Sequence, residues 1–307
     1  SKIEQMIDFG SYMVFDTASV QTMIITVIKN NVDTNYSFDL RRLNNKEANY
    51  NDAIDMLCKK QNDKIEYIMP NINRDLLINK TFTFSNNSFE MILNKIKDKQ
   101  NFYLDANKEI AQGIVAPQDF VNKKTSLELG GIVNIGDGIF VLNESEVLGI
   151  GFNESEKKLI KPYFTTTEIN KYNTFPNNKY WIIYTDSKYK KLGNIIQYPN
   201  IKAHLDKYAS IITSDNKPYG LHRARNEYFF VGDKIISLRK CERPTFSYNN
   251  IDCYVSQTFF IIKSIRINLK YLTALLNSKL IEFWLKNKGK MQGLLFQVDK
   301  EPLLDIP

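Results

Sequence analysis

Apolar and polar positions divide this chain into three textures. Near the start, Lys2 to Asp8 and Val20 to Ile28 read as two strands joined through Gly10-Ser11-Tyr12. The second, VQTMIITVI, is an almost unbroken apolar run, the pattern of a strand covered on both faces inside a larger sheet. A domain does not usually begin with its most buried strands, so a larger protein is expected to precede Ser1. Residues 31–105 are polar and Asn-rich, with two short amphipathic patterns. Asn51 is placed to cap a helix through Cys58, and Asn87-Ser88-Phe89-Glu90 opens another with Phe89, Ile92, Leu93 and Ile96 on one face. From residue 106 strand patterns return in AQGIVAPQDFV, LGGIVNIGDGIFVL, YWIIY and IDCYVSQTFFIIKSI. Pro199 suits the first turn of a helix whose apolar face holds Ile201, His204, Leu205, Tyr208, Ile211 and Ile212. That placement makes His204 a core histidine in preference to a general base. The longest helical pattern is 268–288: Asn268 caps it, Gly289 follows it, and Leu269, Leu272, Leu276, Leu280 and Phe283 form its stripe.

One stretch concentrates the candidate chemistry. Tyr219 to Tyr248 packs Arg223, Arg225, Arg239, Lys240 and Arg243 among Tyr219, Tyr228, Phe246 and Tyr248. Val231-Gly232-Asp233-Lys234 reads as a two-residue hairpin turn, with Glu227 to Val231 and Lys234 to Lys240 as its strands. Arg223 and Arg225, two apart on an extended segment, would then face one side. Guanidinium forks and aromatic faces on a rigid frame suit phosphates and base edges. An ordinary hairpin with a solvated cationic rim fits the same pattern.

Charge shifts the balance toward a polyanion. The 307-residue chain has net charge +7, but residues 1–156 hold 16 Lys+Arg against 22 Asp+Glu (−6), and residues 157–307 hold 25 against 12 (+13). A cationic half rich in tyrosine and phenylalanine points to nucleic acid before a membrane surface. Lys188, Lys190 and Lys191 form a second basic cluster. Lys286, Lys288 and Lys290, with Gln292, form a third; they suit the C-terminal end of a helix and would equally line a groove.

Other chemistry is thinly supported. Cys58, Cys241 and Cys253 form no CxxC pair, and His204 and His222 lie at no ligand spacing, so no metal site is expected and a reducing cytoplasm is. No run approaches a membrane span and the start is no signal peptide. Gly136-Asp137-Gly138 reads as a hairpin turn, because a strand and not a helix is expected at Ile139 to Leu142. There is no Asn-Pro-Pro-Tyr, no acidic-Gly-x-Gly loop and no Walker loop. The nearest approach to a metal-nuclease motif, Asp119 with Glu128, has Gly130 where a lysine is needed. No catalytic residue is assigned.

Several tracts together resemble a known family. KLIKPYFTTTEINKY, YPNIKAHLDKY, LHRARNEYFFVGDKIISLRK and LKYLTALLNSKLIEFWLKNKGKMQGLLFQVDKEPLLDIP are similar, in that order, to the TaqI-like C-terminal specificity domain. This is the target-recognition part of bacterial adenine-N6 DNA methyltransferases and of fused type IIG restriction-modification enzymes. The likeness spans roughly residues 105–307. DFGSYMVFDTASVQTMIITVIKN resembles the last hairpin of the methyltransferase domain, with Val14-Phe15 matching a Val-Phe pair whose Phe stacks on the extruded target base.

The resemblance implies an α+β chain: the C-terminal strands of a truncated α/β methyltransferase sheet (1–40), a helical connector (41–105), a mixed-sheet DNA target-recognition domain (106–265) and a helical lobe (266–307). It implies sequence-specific recognition of double-stranded DNA, with Arg223, Arg225, Arg239, Lys240, Arg243, Tyr248, Lys188, Lys190, Lys191, Lys288, Lys290 and Gln292 as candidate contacts and Phe15 for base stacking. The missing methyltransferase domain would be the other partner. The competing reading is a protein-interaction fragment that lays helix 268–288 on a partner subunit. A nuclease site within the chain is a third, which incubation with plasmid and magnesium would expose by nicking. S-adenosylmethionine belongs to the parent enzyme and no cofactor is expected here. Calorimetry of this chain should therefore show no micromolar binding of S-adenosylmethionine; such binding would mean that a catalytic domain is present after all.

Overall fold

Lys2–Asp8 forms a strand over the expected residues and lies inside a four-stranded sheet in the order Met23–Ile28, Lys2–Asp8, Asp39–Leu43, Ile65–Ile68. It runs antiparallel to Met23–Ile28 and parallel to Asp39–Leu43. The computed structural model describes residues 2–18, 20–29, 34–73, 84, 87–292 and 295–307. The chain is α+β and divides into two compact units. One comprises Ser1–Tyr103, Lys240–Arg243 and Lys279–Pro307; the other comprises Leu104–Arg239 and Pro244–Ser278.

In the first unit, the stretch read as a helical connector carries strands as well: Asn35–Ser37, Asp39–Leu43, Ile65–Ile68 and Asn71–Asn73. Phe38 and Leu40, two apart, are buried in one apolar cluster, and Leu43, on the other face of the strand, is buried in a second with Ile7 and Phe9. Its first helix is Tyr50–Leu57, capped two residues earlier than expected by Asn49, with Asp52 completing a capping box. The second, Asn87–Lys97, keeps Leu93 buried and sets the Phe89 ring edge-on against Phe283. Residues 74–83 of the expected connector lie outside the described residues. The apolar strand Met23–Ile28 sits at the sheet edge with both faces bare: Ile24 and Ile28 on one side, Met23, Ile25 and Val27 on the other, are all exposed.

The second unit builds one core between two sheets. A five-stranded sheet orders Tyr172–Asn173, Phe246–Asn249, Lys234–Leu238, Phe259–Ile262 and Ile110–Gln112. A four-stranded sheet orders Tyr254–Val255, Ile160–Phe164, Tyr180–Ile183 and Val141–Asn143. Phe259–Ile262 is buried at every position, as a four-residue apolar run at a sheet centre must be. Helix Pro199–Asp206 begins at Pro199, and His204 is buried in the core, its Nε2 2.9 Å from the Ile139 carbonyl. The buried Glu156 carboxylate accepts from the Asn200 and Ile201 amides at that helix start, at 2.7 and 3.2 Å.

Two expectations are corrected. Glu227 to Val231 is no strand: Asn226 caps a 3-10 turn at Glu227–Phe229, and Phe229 and Phe230 drop into the core. Lys234–Leu238 is a strand, but its neighbours are Phe246–Asn249 and Phe259–Ile262. The 268–288 helix is two helices, Leu269–Leu276 and Lys279–Lys288. The Asn277 side chain causes the break. Its amide pairs with both backbone groups of Phe246, accepting at 3.1 Å and donating at 2.7 Å, as a strand residue would. The stripe slips accordingly: Leu269, Leu272 and Leu276 are buried, Leu280 is exposed, and Ile281, Trp284 and Leu285 are buried beyond it.

The two sheets are knitted where Ile110–Gln112 ends. Gly113 donates to Phe259 O at 3.0 Å and Ile114 to Val255 O at 2.8 Å, so one short segment bonds to a strand of each sheet. A Cβ on Gly113 would lie 2.1 Å from Ser256 O and 2.5 Å from Val255 O. Gly113→Ala should therefore cost this unit at least about 2 kcal/mol, the scale of overpacking against backbone that cannot retreat. Urea unfolding followed by tryptophan fluorescence measures it, and an unchanged midpoint would show that the junction yields.

Candidate nucleic-acid interface

The expected contact residues separate by what already holds them. Within the second unit, Arg223 is exposed, and its backbone pairs with Val115 in both directions at 3.0 Å. Arg225 differs. Its φ of +68° turns the chain after Ala224, so the two arginines do not share the face of one extended strand. Its guanidinium is half-buried and donates to Gly113 O at 3.2 Å and Gln112 Oε1 at 3.0 Å. Burial, with Arg223 beside it, draws its pKa below the ordinary arginine value. Arg239 is half-buried, its amide bonded to Thr258 O. Tyr248 donates to Asp233 at 2.8 Å and carries the Lys270 ammonium over its ring. Lys188 and Lys190 lie on a 3-10 turn, Ser187–Lys190, capped by Asp186; both are exposed, as is Lys191. Lys188 also stands over the Tyr189 ring, 5.0 Å from its centroid.

In the first unit the fold brings together residues far apart in sequence. Lys240–Cys241, Leu295–Gln297 and Lys290–Gln292 form a three-stranded sheet with Leu295–Gln297 in the middle. Lys240 and Lys290 are both register partners of Gln297, so the three side chains form one row across the sheet. The next row, Cys241, Phe296 and Met291, points the other way, with Cys241 and Phe296 buried. Lys240 and Lys290 are exposed, and Lys290 lies 3.7 Å from Asp299. Gln297 donates its side-chain amide N–H to Asp299 at 2.5 Å. Gln292 is exposed at the end of its strand; Lys288 is partly buried and Arg243 exposed. Gln297 escaped the sequence reading because nothing local marks it: only long-range pairing sets it between two lysines. Phe15, between the first two strands, is 55% exposed, and Val14 beside it is exposed too.

Other basic side chains are spent on acceptors of the chain itself. Arg266 clamps Glu109 through Nε at 2.9 Å and through Nη2. Lys263 bonds Tyr228 O at 2.7 Å and stands 4.1 Å above the Tyr228 ring. Lys234 is wholly buried, donates to Gly232 O and Ile251 O, and burial brings its pKa down to about 8. Nor do the alternative sites assemble. The Gly138 amide that a phosphate loop would offer is taken by Glu146 at 2.6 Å. A helix does begin at Glu144, unlike the expectation, but this carboxylate fills the place of an anion. Burial raises the pKa of Asp119, while Glu128 faces Lys124 at 3.7 Å. Among the described residues, no group of three or more His, Cys, Asp or Glu could hold a metal ion, and no helix is long and apolar enough to cross a membrane.

The cationic half overlaps a known family. Residues 161–307 match the model of the TaqI-like C-terminal specificity domain. The match begins at Lys161, inside strand Ile160–Phe164, and runs to Pro307. No curated protein sequence matches the chain. Among solved structures, the chain is similar in fold to the type IIL restriction-modification enzyme MmeI, solved in complex with DNA. The likeness covers 97% of this chain and 34% of that one, at 13% identity and TM-score 0.54. The type IIG restriction endonuclease BpuSI aligns over 99% of this chain and 36% of its own, at 12% identity and TM-score 0.39. The chain thus spans about a third of the length of either enzyme.

The Glu109 clamp gives a pH test. Hydrogen bonds from Arg266, and then from the Asp105 amide and Ser264, outweigh burial and hold its carboxyl at about 2 against an ordinary 4.5. Below pH 4.5 the unfolded chain takes up a proton that the folded chain refuses. The stability from this group is therefore complete above pH 4.5 and is lost as pH falls toward 2. Glu109→Gln should flatten that part of the melting-temperature profile; parallel acid limbs in both proteins would show that the clamp is not what titrates.

Proposed function

We propose that this chain reads DNA sequence for a restriction-modification enzyme, and more finely for an adenine-N6 DNA methyltransferase or a type IIG enzyme. The observation that carries the proposal is that the TaqI-like specificity domain lies within the half of the chain with net charge +13. Methylating a base in a duplex requires flipping it from the stack. A second, basic domain then has to hold the duplex and read the neighbouring base edges. Phosphate contacts set register, and base contacts supply sequence information. In this division Arg223, exposed on the second unit, and Tyr248 read base edges. Lys188, Lys190 and Lys191, and in the first unit Lys240, Lys288 and Lys290, bind phosphate. Arg239 and Arg243 border the passage between the two kinds of contact in sequence, Gln292 joins the lysine row, and Arg225 acts as the strut that fixes Arg223. Gln297, paired in register with Lys240 and Lys290, joins the candidates.

Phe15 is the candidate for stacking on the extruded base; its exposure supports this, as does the bare strand Met23–Ile28, whose two apolar faces suit a place inside a larger sheet. A methyltransferase domain is the proposed occupant. S-adenosylmethionine would be held there and not here. The turn after Lys2–Asp8 does not fit it: the Gly10 amide is bonded to Asp8 at 2.9 Å, and a Gly10 Cβ would lie 2.4 Å from Leu43 O, so this turn is closed by its own backbone. We place the enzyme in the cytoplasm with its DNA. The scaffolding alternative loses its main support, because the stripe it needs is split at Asn277 and largely buried.

Salt separates the readings. Duplex affinity carried by phosphates should fall at least about tenfold between low and physiological salt, whereas an apolar helix contact would hardly change. Lys240→Ala should weaken all duplexes alike and lower the salt slope by about 1, and Arg223→Ala should relax sequence preference by about 1–3 kcal/mol at one position. Selection from a randomised duplex pool reads both. Binding that ignores salt, or a wild-type profile in both variants, would count against a DNA-reading surface at these residues.

A further inference from the structure

The sequence pattern did not single out the loop that follows strand Ile160–Phe164. Glu168 to Phe175 is a tight hairpin. Phe175 N–H bonds Glu168 O at 2.9 Å, Ile169 pairs with Thr174, and Asn170 N–H bonds Asn173 O at 3.1 Å. Lys171 and Tyr172 are therefore its two tip residues. Tyr172 has φ +77°, a region that glycine or asparagine adopts readily and an aromatic residue does not. The hairpin around it is locked. Tyr172 and Asn173 pair with Ser247 and Tyr248 at the sheet edge, and the Thr174 hydroxyl meets Ser247 Oγ at 2.8 Å and Asn249 Nδ2 at 2.9 Å. The buried Glu168 carboxylate ties the base through Thr165 N–H at 2.8 Å and the hydroxyls of Thr165 and Thr167.

None of this rigidity serves to bury the tyrosine. Its ring is 52% exposed, with the Lys171 ammonium 5.4 Å from its centroid, and Phe175 nearby in sequence is 55% exposed. A ring held outward in an unfavourable backbone conformation, on an anchored tip, beside a lysine, in the cationic half of the chain, is arranged to meet something planar next to something anionic. A nucleobase beside its phosphate has that chemistry. Resting on the DNA reading above, we propose that the 168–175 hairpin enters duplex DNA tip first, with the Tyr172 ring packed on a base at an opened step and Lys171 on the adjoining phosphate. Tyr172 is then a specificity-determining residue, because the ease of opening a step depends on its sequence.

Tyr172→Asn tests this, since asparagine keeps the left-handed backbone and removes the ring; Tyr172→Phe keeps the ring. The unaltered chain and both variants are melted, and each is equilibrated with a randomised duplex pool. Affinity is then measured for the enriched duplex, scanned with 2-aminopurine, and for an unrelated duplex. The expected result is that Tyr172→Asn melts no lower than the unaltered chain. It should lose about tenfold in affinity for the enriched duplex, little for the unrelated one, and the 2-aminopurine signal of an opened step; Tyr172→Phe should retain all three. An unchanged profile in Tyr172→Asn would overturn the inference and leave the DNA reading intact, and so would a lower melting temperature with the duplex preference kept. Failure of the unaltered chain to bind any duplex would overturn both.

Discussion

The arrangement of the second unit depends on how closely Gly113 approaches the carbonyls of Val255 and Ser256. That approach lets a single extended segment bond Phe259 in one sheet and Val255 in the other, so the two sheets share a seam and not merely an apolar interface. Apolar packing alone is non-directional and leaves two sheets free to slide. The seam removes that freedom. Arg225 reinforces it from the far side by donating to Gly113 O, and Val115, two residues on, pairs with Arg223. The exposed arginine is thus fixed through three bonded segments to the centre of the unit.

Parts of this were legible in the sequence and parts were not, for identifiable reasons. Lys2–Asp8, Tyr180–Ile183 and helix Pro199–Asp206 emerge from local pattern alone, because their apolar period and end signals agree. The helix beyond Asn268 carried the right cap and, as far as Leu276, the right stripe, yet breaks at Asn277. The partner that breaks it, Phe246, is 31 residues away, so no window around 277 contains the cause. The supposed hairpin at Gly232 failed similarly. Its first arm is rich in aromatic residues, but Asn226 offers a local cap and Phe229 and Phe230 find deeper burial in a 3-10 turn. Competition between a local cap and strand pairing is settled by tertiary burial. For the site, charge composition located the cationic half. Only the fold could put Lys240 and Lys290 on either side of Gln297, or show that Arg225 is committed to its own backbone.

The cations also differ in the work they do. Arg266, Lys263 and Lys234 bind acceptors of their own chain, and Lys234 does so with no carboxylate among its bonded partners, only carbonyls. Burying an ammonium is costly unless acceptors replace its water, so the strand turn at Gly232 and Ile251 is fixed by where that side chain must end. A net charge of +13 therefore overstates the surface available to a polyanion. The lysines at 188, 190, 191, 240 and 290 and Arg223 give a better measure of it, since these are exposed.

Reading a sequence requires placement finer than a loop usually provides, and here loops are bound to sheets by buried polar groups. Glu168 fixes the base of its hairpin, Glu156 fixes the start of helix Pro199–Asp206, and Asn277 fixes the edge of Phe246–Asn249. Each is a directional contact at a point where apolar packing would permit several positions. None of them lies at a hairpin tip. Substitutions at Lys171, Tyr172 or Arg223 would consequently change what is presented without disturbing what holds it. Frame and exposed edge are thus held by different residues.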